Sequence, residues 1–177
     1  MVAALTYLLE TLLKLCMLAV LLRLLLQWSR ADFRNPLARA ILHLTNPIIV
    51  PLRRLLPAIG RLDTATCLAV VVFAMLEVSV AWLLAGLGPP PWVLWLRSAA
   101  VEILRTTLWT YFFAIFLYAM LSFVAPGTYS PAQGLLVALC EPVLRPFRRL
   151  IPPLGGLDLS PLWAGIAIQT LLILLNY

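Results

Sequence analysis

The sequence predicts an all-α membrane protein with four transmembrane helices in two tandem parallel repeats. Three observations lead to this prediction: an apolar composition, long stretches almost free of charge, and two copies of one motif rich in proline and arginine. Of the 177 residues, 63% are hydrophobic and 11% are charged, and the mean hydropathy is +1.01. An ordinary soluble domain is about half apolar and about a quarter charged. A small soluble domain has too much surface to hide so many apolar side chains, so we expect lipid to be part of the solvent.

Four stretches are predicted to be membrane spans. A bilayer core of about 30 Å needs about 20 helical residues. Residues 106–125 and 159–177 carry no charge. Residues 65–87 carry only Glu77, and residues 5–27 carry three charged side chains within a leucine-rich run. We expect residues 5–27 to be retained as a helix, because they have neither the basic start nor the small-residue cleavage site of a signal peptide.

Most of the positive charge lies in two connections between predicted spans. Nine of the thirteen Lys and Arg residues lie there: Arg30, Arg34, Arg39, Arg53, Arg54, Arg61, Arg145, Arg148 and Arg149. By the positive-inside rule, both connections face the cytoplasm and both termini lie on the opposite side of the membrane. This distribution explains the formal net charge of +6 without a nucleic-acid partner. Residues 86–91 are predicted to be an extracytoplasmic turn, and residues 92–105 an interfacial helix.

The two connections are copies of one motif. They align without a gap at an offset of 95 residues, which divides the chain into a first repeat, residues 1–90, and a second repeat, residues 91–177. The matching pairs include Pro47 and Pro142, Pro51 and Pro146, Arg53 and Arg148, Arg54 and Arg149, Pro57 and Pro152, Gly60 and Gly155, and Asp63 and Asp158. Because each repeat contains two spans, both copies are expected to have the same orientation in the membrane.

Each connection is predicted to be an amphipathic cytoplasmic segment that is broken by proline. Asn35-Pro36 and Ser130-Pro131 each provide an N-cap residue followed by proline at the first helical position. The helix that begins there is expected to end before the next proline, because the residue preceding a proline is pushed out of the helical region. Broken apolar segments cannot cross lipid by themselves, so we expect both connections to lie in the interface.

The motif provides candidate site residues that have two interpretations. The paired arginines can bind lipid phosphates or a protein partner, or they can serve only to orient the chain. Asp63 and Asp158 can pair with these arginines, or they can cap the helices that follow. The sequence favours neither interpretation of the aspartates.

The two copies of the motif resemble the signature segments of a known family. TNPIIVPLRRLLPAIGRLD and CEPVLRPFRRLIPPLGGLDLSP are similar to those of the YggT family, most strongly over residues 28–66 and 123–163. The resemblance implies an integral inner-membrane protein of bacteria, related to YlmG proteins and to chloroplast relatives involved in cytochrome b6 haem assembly. It also implies a part in osmotic or extracytoplasmic stress tolerance and in ion homeostasis. The first copy has Arg61 where the second has Gly156, so the functional equivalence of the two copies stays open.

Charged residues in and beside the predicted spans form a second candidate site, an intramembrane charge cluster. Its members are Glu10, Lys14, Glu77, Glu102 and Arg105. Lys14 and Glu77 are both expected about 15 Å from the outer ends of their helices. Intramembrane charges usually face the protein interior and often mark ion or proton pathways. The competing interpretations are a structural Lys14–Glu77 pair and an interfacial salt bridge between Glu102 and Arg105.

No residue pattern indicates an enzyme. The chain has one histidine, His43, three cysteines without metal-ligand spacing, and no nucleophile beside a base. We therefore predict no catalytic residue, no metal and no cofactor. The predicted function is a non-enzymatic role in osmotic or extracytoplasmic stress tolerance and ion homeostasis. The alternative is a membrane scaffold or assembly factor that docks cytoplasmic division or cofactor-maturation proteins through its Arg-Arg loops, with anionic lipid head groups as further partners and self-association left open.

Overall fold

The protein is built from helices. The computed structural model describes residues 2–56, 58, 63–124, 130–150 and 158–175, and these ranges contain no strand. The helices are α1 (Val2–Trp28), α2 (Pro36–Leu55), α3 (Thr64–Leu84), α4 (Trp92–Val124), α5 (Pro131–Leu150) and α6 (Ser160–Leu175). The chain forms two compact units: unit 1 contains Met1–Leu24 and Ile41–Thr106, and unit 2 contains Leu25–Ala40 and Thr107–Tyr177. The predicted all-α class is confirmed for the described residues.

Within the described ranges, two helices rather than the predicted four are long and apolar enough to cross a membrane. They are α3 and the Trp92–Ser122 part of α4. The helix α6 is apolar but has 16 residues, about 24 Å in length, which is shorter than a bilayer core. The helix α1 is long enough but carries Glu10, Lys14 and Arg23 along its length. The expectation of four complete spans is therefore met for two helices.

The predicted interfacial helix and the third predicted span form one continuous helix, α4. It has 33 residues, and the predicted interfacial segment runs into the predicted span without interruption. The segment contains neither proline nor glycine, so the backbone has no local cause for a break. The predicted turn at residues 86–91 does separate α3 from α4, and Gly86 there has a φ of 68°, which glycine adopts without strain.

The prediction that proline breaks the two connections is wrong. Pro47 and Pro51 lie inside α2, and Pro142 and Pro146 lie inside α5. In each helix the two prolines are four residues apart, so both rings and both missing amide donors fall on one helical face. All four prolines are exposed. The gaps in the hydrogen-bond ladder therefore lie on a side where the surroundings can satisfy the freed carbonyl groups.

The predicted starts of these two helices are confirmed. The Leu37 N–H donates to Asn35 Oδ1 at 2.9 Å, and the Gln133 N–H donates to Ser130 Oγ at 3.1 Å. Both helices have 20 residues, and their bounds differ by the offset of the sequence repeat. A capping residue followed by proline thus begins a 20-residue helix in both repeats.

Apolar packing in each unit positions the polar side chains of that unit. In unit 1, buried residues from α1, α3 and α4 form the core: Met17, Ala74, Val78 and Ala99. The Trp95 indole N–H donates to the Met75 carbonyl at 3.1 Å and so joins α4 to α3. In unit 2, the buried apolar residues come mainly from α4, α5 and α6: Ala114, Ile115, Leu139, Cys140, Leu144, Ala164, Ile168 and Leu172.

Candidate functional site

An arginine–aspartate pair joins the end of α2 to the start of α3 in unit 1. Arg53 donates from Nε to Asp63 Oδ1 at 3.2 Å and from Nη2 to Asp63 Oδ2 at 2.5 Å. The Thr66 hydroxyl also donates to Asp63 Oδ2. Asp63 precedes α3 but its side chain caps no backbone amide, so pairing with arginine is the interpretation observed. The hydrogen bond to Asp63 raises the pKa of Arg53 above its ordinary value.

The equivalent arginine of unit 2 has more partners. Arg148 donates from Nε to Asp158 Oδ2 at 2.9 Å, from Nη1 to Glu141 Oε2 at 2.6 Å and from Nη2 to the Tyr118 hydroxyl at 3.0 Å. The Ser160 N–H donates to Asp158 Oδ1 at 2.9 Å, so Asp158 both pairs with arginine and binds an amide at the start of α6. Partial burial opposes the ionisation of Asp158, but the hydrogen bonds from Ser160 and Arg148 outweigh it and lower the pKa of the carboxyl.

Arg23 is a buried polar residue that in the sequence stands out only as a charge within the first predicted span. It is 1% exposed, and its Nη1 donates to Thr45 Oγ1 at 2.8 Å and to Asn46 Oδ1 at 2.9 Å. These bonds tie α1 to the middle of α2. Its Nε is buried and makes no hydrogen bond with any described residue. An arginine in a leucine-rich run opposite a Thr-Asn pair is the sequence signal that would have indicated this contact.

Two polar clusters therefore share four equivalent sequence positions. The Arg23 cluster consists of Arg23, Thr45, Asn46, Arg53, Asp63 and Thr66, all in unit 1. The Arg148 cluster consists of Tyr118, Glu141, Arg148, Asp158 and Ser160, all in unit 2. At the repeat offset, Tyr118 takes the position of Arg23, and Glu141 takes the position of Asn46. The formal charge is thus +1 in the Arg23 cluster and −1 in the Arg148 cluster.

The predicted intramembrane charge cluster lies in unit 1. Lys14 Nζ lies 3.6 Å from Glu77 Oε1, with 60% of the lysine side chain and 7% of the glutamate side chain exposed. The second oxygen, Glu77 Oε2, is buried without a hydrogen bond from any described residue. Glu10 and Glu102 lie close enough to interact electrostatically with Glu77. Glu102 Oε2 in turn pairs with Arg105 Nη1 at 3.0 Å.

The remaining motif residues are either exposed or outside the described residues. Arg54 and Arg149 are exposed beside their engaged neighbours Arg53 and Arg148, so the members of each arginine pair have different environments. Four motif residues lie outside the described ranges: Pro57, Gly60, Pro152 and Gly155. In the part of the chain that the structure describes, no three His, Cys, Asp or Glu residues are grouped to hold a metal ion.

Comparison with known proteins identifies the family. The CCB3/YggT family model matches residues 2–84 and 97–177. The chain is 40% identical to an uncharacterized protein of Pseudomonas aeruginosa over 164 residues, which cover 92% of this chain and 83% of that protein. It is 35% identical to the uncharacterized protein YggT of Escherichia coli strain K12 over 158 residues, which cover 89% of this chain and 81% of that protein. The chain belongs to the CCB3/YggT family.

Each family match contains one of the two polar clusters. The segment 2–84 includes the Arg23 cluster, and the segment 97–177 includes the Arg148 cluster. A shorter match of 34 residues is 58% identical to YlmG homolog protein 2, chloroplastic, of Arabidopsis thaliana and covers 19% of this chain and 14% of that protein. No solved structure matches the chain. The resemblance to the YggT family is thus confirmed, and both family segments carry a cluster of polar side chains.

Proposed function

We propose that this YggT-family chain is a non-enzymatic integral protein of the bacterial inner membrane that supports ion homeostasis and tolerance of osmotic or extracytoplasmic stress. The observation that carries the proposal is Glu77, a buried carboxylate in the middle of an apolar helix, with one oxygen facing Lys14 and the other without a hydrogen-bond donor among the described residues. An unsatisfied carboxylate in apolar surroundings is costly, and such groups are typical of ion and proton pathways.

The membrane placement has independent support from the outer faces of the helices. Large apolar side chains are exposed on α3, α4 and α6, among them Val72, Leu76, Phe116, Leu171 and Leu174. Large apolar side chains exposed in such numbers are unfavourable in water and are expected where lipid covers them. In this proposal α1 and α6 join α3 and α4 as four spans in two parallel repeats. The arginine-rich α2 and α5 face the cytoplasm, and both termini are extracytoplasmic.

The charges around Glu77 favour an ion-linked role over a purely structural pair. Three carboxylates, of Glu10, Glu77 and Glu102, share this region with the cations Lys14 and Arg105. The Lys14–Glu77 distance of 3.6 Å is longer than a direct hydrogen bond, and the lysine is largely exposed. A carboxylate held this loosely can exchange its partner for a proton or another cation, whereas a tightly bonded structural pair cannot do so without cost.

Ion flux in proteoliposomes tests the proposal. Purified protein is reconstituted, and the decay of imposed proton, sodium and potassium gradients is recorded for the wild type and for Glu77→Gln, which keeps the shape and removes the charge. We expect flux through the wild type and its loss in the variant at equal reconstitution. Glu141→Gln, in unit 2, is the matched control and should leave flux unchanged. Absence of flux in the wild type, or disappearance of Glu77→Gln from the membrane, would argue that the pair is structural.

A scaffold role is the second candidate, and the different environments of the paired arginines favour it. Arg53 and Arg148 are each paired with an aspartate, whereas Arg54 and Arg149 are exposed at the ends of α2 and α5. Exposed guanidinium groups on amphipathic helices suit anionic lipid head groups or an acidic face of a cytoplasmic partner.

The double variant Arg54→Gln/Arg149→Gln tests this candidate. It should weaken binding of the detergent-solubilised protein to vesicles that contain phosphatidylglycerol by roughly tenfold or more, since each arginine near an anionic surface contributes about 1 kcal/mol. Arg97→Gln, an exposed arginine near the start of α4, is the matched control. Equal loss in the control would show that general charge, and not these two positions, drives binding.

A further inference from the structure

We infer that the Arg23 cluster is a binding site for a phosphate-class anion, supplied either by a lipid head group or as a free ion. The inference goes beyond the ion-linked role proposed for Glu77 and concerns other residues. It rests on three observations: an excess of positive charge around the buried Arg23, an orphaned guanidinium donor, and the composition of the equivalent cluster in the second repeat.

The charge excess comes from two arginines that share one carboxylate. Arg53 and Asp63 both act electrostatically on Arg23, the first repelling it and the second attracting it. Asp63 already accepts two hydrogen bonds from Arg53 and one from Thr66. The direct acceptors that the structure describes for Arg23 are the neutral oxygens of Thr45 and Asn46. A buried cation without its own counter-charge is costly, so an external anion would stabilise this arrangement.

The orphaned donor indicates where the anion would bind. Arg23 Nε is buried and has no acceptor among the described residues, while Nη1 of the same guanidinium is already engaged. Arginine presents its N–H groups in a planar fork that fits phosphate oxygens. An oxygen of the anion placed against Nε would satisfy the donor and balance the charge in a single contact.

In the Arg148 cluster, carboxylates of the chain itself bind and balance the arginine. There the carboxylate of Glu141 binds Arg148 at 2.6 Å, and the residue at the equivalent position of the Arg23 cluster is the neutral Asn46. The position of Arg23 is taken by Tyr118, which adds no charge. The second repeat therefore contains its own anions, and the first repeat lacks one at the matching place.

In this proposal the anion enters past Arg53. Its side chain is 44% exposed, so an incoming anion can meet this guanidinium first and reach Arg23 after a change of the Arg53 rotamer. Both arginines would then contact the anion, and Asp63 would keep its bond from Thr66. A free phosphate and the phosphate of a phosphatidylglycerol head group both satisfy this chemistry.

The test compares thermal unfolding of the wild type and of Asn46→Glu, a variant that copies the second repeat by placing a carboxylate beside Arg23. In one arm, detergent-solubilised protein is titrated with inorganic phosphate against sodium chloride at equal ionic strength. In the other arm, nanodiscs of phosphatidylglycerol are compared with nanodiscs of phosphatidylcholine. A ligand that binds only the folded state raises the melting temperature in a concentration-dependent way. Glu141→Gln is the matched control, and Arg23→Tyr is a second variant that removes the orphaned donor.

We expect phosphate or phosphatidylglycerol to stabilise the wild type, and the apparent affinity to fall roughly tenfold to a hundredfold in Asn46→Glu, as for loss of one charge-assisted contact. Glu141→Gln should respond as the wild type does. A response to phosphate in detergent identifies a free-anion site, and a response in nanodiscs alone identifies a head-group site. No response in either arm, or equal responses of the wild type and Asn46→Glu, overturns the inference. Glu77→Gln should be stabilised by phosphate or phosphatidylglycerol as the wild type is. A negative result in this test therefore leaves the flux proposal untouched, and a negative flux result leaves this inference untouched.

Discussion

Replacing Asp63 with asparagine should destabilise the protein more than the same replacement at Asp158, although both residues occupy the same position of the repeat. Asp63 has 7% of its side chain exposed and is bound by Arg53, so the change leaves a partly buried guanidinium without its carboxylate. Breaking a fully buried pair in this way costs about 3–5 kcal/mol. Because Arg53 is 44% exposed and water can hydrate it, we expect about 1–3 kcal/mol.

Asp158 provides the matched comparison. It is 42% exposed, and Arg148 keeps Glu141 and Tyr118 as partners when Asp158 is changed. The expected loss for Asp158→Asn is about 0–1 kcal/mol. Both variants are unfolded in detergent by heat or denaturant, and amide exchange at the starts of α3 and α6 locates the change. Equal losses, or a larger loss for Asp158→Asn, would refute the reasoning that burial and the number of remaining partners determine the cost.

Three further predictions concern pH, proline and cysteine. The pKa of Asp158 is lowered in the folded protein, so its ionised carboxylate stabilises the fold above the ordinary carboxyl pKa, and this stabilisation is lost as the pH falls through the lowered value. Acid unfolding of the wild type should show this loss of stability, and Asp158→Asn should not show it. Pro47→Ala should raise the melting temperature and increase the free energy of unfolding by up to about 3 kcal/mol, because it restores an amide donor inside α2. A lower melting temperature of the variant would show that the fold needs the proline ring at this position. Burial raises the pKa of the Cys140 thiol to about 12, so maleimide at pH 8 should label Cys140 only after unfolding, and rapid labelling of the folded protein would contradict its burial.

Properties that depend on composition and local spacing are readable from the sequence. The apolar runs predict helices because apolar side chains and intact backbone hydrogen bonding are the requirements of lipid. The Asn35 and Ser130 caps follow from a residue and its next two or three neighbours. The possibility of a Lys14–Glu77 pair follows from helical rise, since equal depth on neighbouring helices brings the two residues to one level.

The wrong predictions have a common physical cause. The prolines of α2 and α5 do not end these helices, because in each helix they share one exposed face, where the surroundings can satisfy the freed backbone carbonyl groups. The sequence left open whether Asp63 pairs with an arginine or caps α3, and the structure pairs it with Arg53. That choice depends on the angle at which α2 reaches the start of α3.

Composition and the repeated motif therefore predicted the all-helical class and the family, because these depend on residues close together in the chain. The tertiary structure alone decided that Arg23 lies buried against Thr45 and Asn46, and that the two repeats carry opposite formal charge in equivalent clusters. The Arg23 contacts join side chains more than 20 residues apart, which only the packing of α1 against α2 brings together.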